Sequence, residues 1–589
     1  MTKIISLLAS LFGIIIMIAT SCNSGSTAKS TATTVTDSTK KWWKEAVVYQ
    51  IYPRSFKDSD GDGVGDLKGI IAKLDYIKSL GIDAVWLNPI YTSPNDDNGY
   101  DISDYRTIMK DFGTMEDFDL LLKEMHHRGI KLIMDLVVNH SSDEHKWFQE
   151  SRKSRDNPYR NYYHWWPAEK GKPTYRWSFF DVNSEAWRYD SLTNAYYLHY
   201  FSKKQPDLNW ENPKLRQEVY GIMRFWLDKG IDGFRMDAFQ FASKDTSWPA
   251  LPKGYEKNII KYYGNGPHLH DYLQEMNREV YSKYNVMSVA EGAGSSPQEA
   301  MEFVDPARKE LDIAYHFESV DIGKHLNDFG LVKYKQIFSR YDSVFKDKGW
   351  LAIFLANHDQ PRMVSKFGND TPEFREVSSK MLSTFVLTMR GTAYYYNGDE
   401  LGMDNIRFDS IQDYNDVDTR NRYLGLQKSG GDLKAFLEDK KQTSRDNGRT
   451  PFQWDATANA GFTTGSPWLK INKDYTTLNA AAQDKDANSC LNYFRKLTKL
   501  RKENPTMVYG KYILLDKDNP DVYAYTREMN GETFFILLNF TKKTVDFNFN
   551  EFKSINKSLV ISNYNNSDKV APPIVKLQPY QAIIYKAVK

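Results

Sequence analysis

Eight short apolar runs, separated by stretches of helical periodicity, constrain this chain more than any other feature. They lie at residues 47–52, 84–90, 131–138, 233–238, 286–291, 311–317, 351–356 and 392–397. Several are hydrophobic almost without a break, as strands buried on both faces require. Helical patterns follow most of them, at 67–80, 115–128, Pro213–Lys229 and 372–389. Strand alternating with helix predicts parallel pairing. Eight such units predict a closed (β/α)8 barrel, in class α/β, rather than an open doubly wound sheet.

Two stretches break the alternation. Residues 141–206 are rich in Trp, Tyr, Asn, Pro and Arg, too long for a structureless loop, and predict a subdomain inserted after strand three. Beyond 507 six β-rich runs follow without helices between them, at 512–515, 522–526, 533–539, 544–548, 559–564 and 582–585. They predict an antiparallel β-sandwich over 508–589. The barrel is then built from 41–140 and 207–507.

The N-terminus reads as an address. A 16-residue apolar run at 4–19 follows Lys3, short for a membrane span and suited to a secretory signal. Ala19-Thr20-Ser21 leads straight into Cys22, similar to the lipobox of bacterial lipoproteins, which implies a signal at 1–21 and lipid on Cys22. Residues 22–40 are Ser-, Thr- and Lys-rich and read as a flexible tether. The expected location is an exported lipoprotein, periplasm-facing or at the cell surface, touching membrane only through that anchor. The second of the 2 cysteines, Cys490, is expected as a packed thiol. With 78 Lys plus Arg against 76 Asp plus Glu, no basic excess exists to neutralise a nucleic-acid backbone.

In such a barrel the active site lies at the C-terminal ends of the strands. There this chain places Asp135-Leu136-Val137-Val138-Asn139-His140, Gly233-Phe234-Arg235-Met236-Asp237, Ala290-Glu291-Gly292 and Asn357-His358-Asp359. Carboxylates converging on one rim suit glycoside hydrolysis, with one as nucleophile and another as acid and then base. Arg235, two residues before Asp237 on the same strand face, is placed to hold that carboxylate charged.

These segments resemble the signature regions of the α-amylase superfamily, in order and spacing, from about Trp42 to the C-terminus. The oligo-1,6-glucosidase and α-glucosidase branch is the most similar. Its hallmarks appear as Trp42-Trp43-Lys44-Glu45, Gln50-Ile51-Tyr52-Pro53-Arg54-Ser55-Phe56, and Ser93 through Asp101 (Ser-Pro-Asn-Asp-Asp-Asn-Gly-Tyr-Asp). Gln205-Pro206-Asp207-Leu208-Asn209-Trp210 and Arg445 through Trp454 (Arg-Asp-Asn-Gly-Arg-Thr-Pro-Phe-Gln-Trp) complete the set. The resemblance implies Asp237 as nucleophile, Glu291 as general acid and base, and Asp359 as the third acid, holding sugar hydroxyls. It implies His140 and His358 as donors to glucose, Asp97 with Arg445 as the pair closing the pocket, and Tyr100 as the ring beneath the sugar. The implied activity is retaining, exo-acting hydrolysis of terminal α-linked glucose from short oligosaccharides, without an organic cofactor, by a monomer.

Asp58, Asp60, Asp62, Val64 (through its carbonyl) and Asp66 reproduce the spacing of a Ca²⁺ loop, with Gly63 at the turn. Position 12 is Gly69 rather than Glu, so no EF-hand domain is expected and the role implied by related glucosidases is structural. Linkage preference is less constrained. In this branch Val after the nucleophile accompanies α-1,6 preference. Ala238 and Gln240 here, and Glu291-Gly292-Ala293-Gly294 in place of the usual Glu-Met-Pro-Gly, leave α-1,4 and α-1,6 both open. Sucrose isomerisation is one alternative, but the relatives that do it carry an Arg/Asp-rich segment where this chain has 316–321 (His-Phe-Glu-Ser-Val-Asp). A non-catalytic glycan-binding lipoprotein is the other, and retention of all three acids argues against it.

Overall fold

The computed structural model describes residues 40–328 and 330–588. The expected signal, tether and lipidated Cys22 lie outside the described residues. Eight parallel strands form one sheet: β1 (Val47–Ile51), β2 (Ala84–Leu87), β3 (Lys131–Val137), β4 (Gly233–Asp237), β5 (Met287–Glu291), β6 (Ile313–Tyr315), β7 (Ala352–Ile353) and β8 (Thr392–Tyr396). Their order is β6-β5-β4-β3-β2-β1-β8-β7. A parallel bridge between Ala314 and Leu351 joins the two ends, so the sheet closes into the barrel expected from the sequence.

The helices wrap this core by amphipathic spacing. Pro213–Lys229 starts with Pro at its first position, where no N–H is needed, and Asn212 caps it by accepting from Lys214 N. Left-handed Gly230 ends it. Leu215, Val219, Ile222, Met223 and Trp226 recur three or four residues apart and are buried against the barrel. Each such side chain stabilises the fold by about 1.5–3 kcal/mol. The helical pattern at 67–80 resolves into two helices, Leu67–Ala72 and Leu74–Ser79, because Lys73 between them leaves helical geometry at φ −112°, ψ 7°.

Between β3 and β4 lies a small antiparallel sheet of three strands, Trp165–Pro167, Trp187–Asp190 and Ala195–Leu198. Trp187 of this sheet and Tyr200, just after its last strand, pack in one cluster with Ala238 and Phe241, just past the end of β4. The inserted segment is thereby seated against the rim that carries Asp237.

The C-terminal strands are β9 (Lys511–Leu515), β10 (Val522–Met529), β11 (Glu532–Asn539), β12 (Val545–Asn548), β13 (Lys557–Ser562), β14 (Ile574–Leu577) and β15 (Ala582–Ala587). Five form an antiparallel sheet, β9-β10-β11-β15-β13, and β12 pairs with β14. One core cluster takes Phe535 and Tyr585 from the first sheet and Phe547 and Val575 from the second, so the two sheets sandwich it. Strand β14 is the one the sequence reading missed. One buried arginine docks this unit on the barrel: Arg527 of β10 donates to Met507 O at 2.7 Å and to Thr388 O. Cys490 is buried and unpaired, its thiol reaching Glu376 O at 3.5 Å. Among the described residues no helix is long and apolar enough to cross a membrane.

Gly233 shows how tightly β4 is fitted. It has φ +151°, and a Cβ there would sit 2.0 Å from Met287 O on β5. Gly233→Ala is therefore expected to destabilise the protein by at least about 2 kcal/mol, measured by urea unfolding. An unchanged midpoint would contradict this fit.

Candidate active site

The strand ends deliver their polar residues to one place. Arg235, fully buried inside β4, donates through Nη1 to Asp135 Oδ1 at 2.6 Å and to Asp237 Oδ1 at 2.5 Å. Its Nη2 pairs with Glu291 Oε1. The second oxygen of Glu291 accepts the Ala238 N–H at 2.9 Å. Ala238 itself turns the chain away from β4 in left-handed geometry, φ 46°. Three carboxylates from β3, β4 and β5 thus converge on one guanidinium. The strand register permits this, since Asp135 pairs directly with Arg235 across β3 and β4.

A cavity of about 340 Å³ opens above them, lined by Asp97, Tyr100, His140, Asp237, Glu291 and Asp359, with Phe and Ile side chains completing the wall. Burial pushes the Asp237 carboxyl up to about 7; Arg235 pulls it down, and Asp135 and Asp359 push it up again. Arg235 acts in the expected direction, by its charge and its hydrogen bond, against the larger push of desolvation.

Asp359 is held oppositely. Burial raises its carboxyl, but Arg445, Arg449 and Arg235 together hold it below the ordinary carboxylate range. Arg445 Nη1 and Arg449 Nη2 both donate to Asp359 Oδ1, at 3.0 and 2.8 Å. Arg445 Nη2 also reaches Asp97 Oδ1 at 3.0 Å, and its Nε binds Asp416 at 2.8 Å. The expected Asp97–Arg445 pair is therefore formed, across 348 residues of sequence.

Tyr100 and His358 stack face to face, ring centres 5.0 Å apart and planes 3° from parallel. The Tyr100 hydroxyl donates to Asp135 at 3.0 Å and accepts from Asn88 Nδ2 at 2.6 Å. Gln50 Nε2 donates to Asn88 Oδ1 and lies 2.8 Å from His358 Nδ1. An amide N–H at Nδ1 fixes the proton on Nε2, which faces Asp359 Oδ2 at 3.3 Å. Burial holds the His358 pKa well below its usual value, so the ring is neutral. His140 is also held neutral by burial, at about 3. Its Nε2 is turned to Tyr100 O at 3.1 Å, so this donor is already engaged.

Several participants were not singled out by the sequence reading: Asp135, Gln50, Asn88, Arg449, Asp416 and Gln205, whose Nε2 donates to Asp97 Oδ2 at 3.3 Å. Most lay inside quoted motifs, but nothing in a motif shows which carboxylate meets which cation.

The Asp58–Asp66 loop lies outside this cavity. Asp58, Asp60 and Asp66 bring carboxylate oxygens within 4.8 Å of one another. Asp62 is not in that group, and its Oδ1 accepts the Val64 N–H at 2.7 Å. Asp58 sits below the usual carboxylate range: burial raises it, but bonds from Thr463 and the N–H groups of Gly61, Gly63 and Asp60 prevail. An all-oxygen, acceptor-only set of this kind fits a hard cation such as Ca²⁺.

Comparison with known proteins agrees with this architecture. Residues 50–510 match the family pattern described as the α-amylase catalytic domain, and 512–584 match the maltogenic amylase C-terminal domain. The oligo-1,6-glucosidase of Parageobacillus thermoglucosidasius is 51% identical over 561 residues, covering 92% of this chain and 99% of that protein. The trehalose-6-phosphate hydrolase of Bacillus subtilis is 42% identical, covering 93% and 98%. Among solved structures, isomaltulose synthase from Protaminobacter rubrum superposes with a TM-score of 0.90 at 46% identity, covering 93% of this chain and 100% of that one. The chain belongs to the α-amylase family of glycoside hydrolases, glycoside hydrolase family 13.

Proposed function

We propose that this chain is a retaining, exo-acting α-glucosidase that removes terminal glucose, α-1,4 or α-1,6 linked, from short oligosaccharides. The observation that carries it is Arg445, which ties Asp97 to Asp359 over the same cavity that Asp237 and Glu291 line. A site closed by that clasp admits a chain end. Asp237 and Glu291 share one guanidinium, which suits the close spacing of a retaining pair; an inverting pair needs roughly 6.5–9.5 Å to admit water.

In the first step Asp237 attacks the anomeric carbon while Glu291 gives its proton to the leaving oxygen. The glycosidic bond breaks and a glucosyl ester remains on Asp237. In the second step Glu291 takes a proton from water, whose oxygen displaces Asp237 and releases α-glucose. In the free chain both Glu291 oxygens accept, from Arg235 and the Ala238 N–H, so Glu291 takes up a proton from solvent and turns toward the leaving group as substrate enters. Asp359, held ionised, accepts from sugar hydroxyls while the neutral His358 presents an Nε2–H beside it.

The first test is a panel of maltose, isomaltose, panose, sucrose and trehalose with products separated by chromatography. Glucose from maltose or isomaltose supports the reading; conversion of sucrose to its isomers without net hydrolysis would favour the second one. That second reading draws on the likeness to isomaltulose and trehalulose synthases, at 46% and 45% identity. The 316–321 segment, without their Arg/Asp-rich pattern, weighs against it. Ala238 and Gln240 line the cavity and are read as linkage determinants. Export and anchoring through Cys22 belong to the same reading: Cys22→Ala should abolish incorporation of labelled fatty acid, and persistent labelling would refute it.

We assign Ca²⁺ a structural role at Asp58, Asp60 and Asp66. It should raise the melting temperature by mass action and a chelator should lower it, with activity at low temperature unchanged. A melting temperature indifferent to both would leave the loop as a turn.

Asp237→Asn and Glu291→Gln should each lower kcat by about 10⁴-fold or more with the fold intact. NMR of the first product from wild type should show α-glucose. Initial β-glucose, or a variant within tenfold of wild type, would overturn the mechanism.

A further inference from the structure

The Ser93–Asp101 loop contains an acid that the mechanism leaves unused. Asp101 is fully buried and no Lys, Arg or His lies in ion-pair reach of it among the described residues. Its Oδ1 accepts from Ser93 Oγ and from the backbone N–H of Asp97, both at 3.0 Å. Its Oδ2 accepts the backbone N–H of Asp96 at 2.9 Å. One carboxylate therefore holds two consecutive N–H groups and a hydroxyl within its own loop.

Burying an acid without a cation is costly, and burial pushes this carboxyl up to about 7 against the pull of the Asp97 and Asp96 N–H groups. Holding a turn alone does not require it. What the arrangement adds is a fixed position for Asp97. The loop is otherwise hard to hold, because Asn95, Asn98 and Gly99 all adopt positive φ, at 63°, 48° and 102°. Within it Asp97 must meet Arg445 on one oxygen and Gln205 on the other. The neighbouring residues are tethered from outside: Asp96 accepts from Ser202 Oγ, and Asn95 from Arg54 at 2.8 Å.

We infer that Asp101 is a positioning residue for Asp97, setting through two backbone N–H groups the carboxylate that, with Arg445, closes the glucose pocket. An amide cannot replace it. An amide offers one acceptor oxygen, and its NH₂ would face either the Asp96 N–H or the donors on the other side. The inference rests on the α-glucosidase reading of the site.

A double-mutant cycle tests it, with 4-nitrophenyl α-glucoside as probe and melting temperature recorded for each variant. Asp101→Asn should lower kcat/KM by about a hundredfold in the wild-type background. Ser93→Ala, which removes one donor and keeps the carboxylate, should lower it less. In the Asp97→Ala background both changes should alter kcat/KM by less than about threefold, since the residue they position is gone. Equal losses in both backgrounds would show a general structural role and overturn the inference, as would Asp101→Asn and Ser93→Ala at wild-type kcat/KM. If Asp101→Asn fails to fold, Ser93→Ala carries the cycle alone. A wild-type protein inert toward the probe and toward maltose and isomaltose would instead overturn the α-glucosidase reading, and the inference with it.

Discussion

The buried guanidinium of Arg235 is the interaction on which the rest of this site depends. It is 1% exposed, rests 5.0 Å from the Trp86 ring centre, and meets carboxylates from three successive strands. Without it, three acids buried together would shed their charge by taking up protons. With it, charge is shared unequally. A lysine could not take its place, because only a planar fork presents separate N–H groups to Asp237 and to Glu291. The barrel supplies the geometry: parallel register sets Asp135, Arg235 and Val289 at one level, Asp237 and Glu291 lie two residues further along β4 and β5, and side-chain alternation turns Arg235 and Asp237 to the same face.

Around that centre a second charge pattern runs opposite. Arg445 and Arg449 converge on Asp359 and keep it ionised, while burial and neighbouring acids raise Asp237. Asp359 is thus held as a lasting anion facing the cavity, while Asp237 serves as nucleophile in its ionised form, which Arg235 favours. The neutral histidines fit this balance. His358, stacked on Tyr100 and fixed by Gln50, adds a donor without adding a charge.

Much of this was legible in the sequence, for physical reasons. All eight barrel strands were visible because burial on both faces favours hydrophobic runs, and Pro213–Lys229 because its cap, proline and glycine bound a clear helical period. Asp237, Glu291 and Asp359 could be named because strand ends concentrate polar residues. What stayed hidden was long-range or alternating. Strand β14 is only four residues long and alternates exposed with buried, so it lacks a hydrophobic run. The partnership of Arg445 with Asp416 is one no local pattern records, and its pairing with Asp97 was expected only through the family resemblance. That Asp62 stands outside the cluster of Asp58, Asp60 and Asp66 is set by the path of the turn, which its regular spacing does not reveal. Asp101, quoted as a motif end, became interpretable only when its three donors were seen.

The central claim is that Asp237, and no other acid of the cluster, becomes covalently attached to glucose. A fluorinated glucosyl fluoride that forms the ester quickly and hydrolyses it slowly allows direct capture. Mass spectrometry of the digested protein should find one fluoroglucosyl group on the peptide carrying Asp237, absent after Asp237→Asn. Label on Glu291 or Asp359, or rapid turnover without any covalent adduct, would contradict the account.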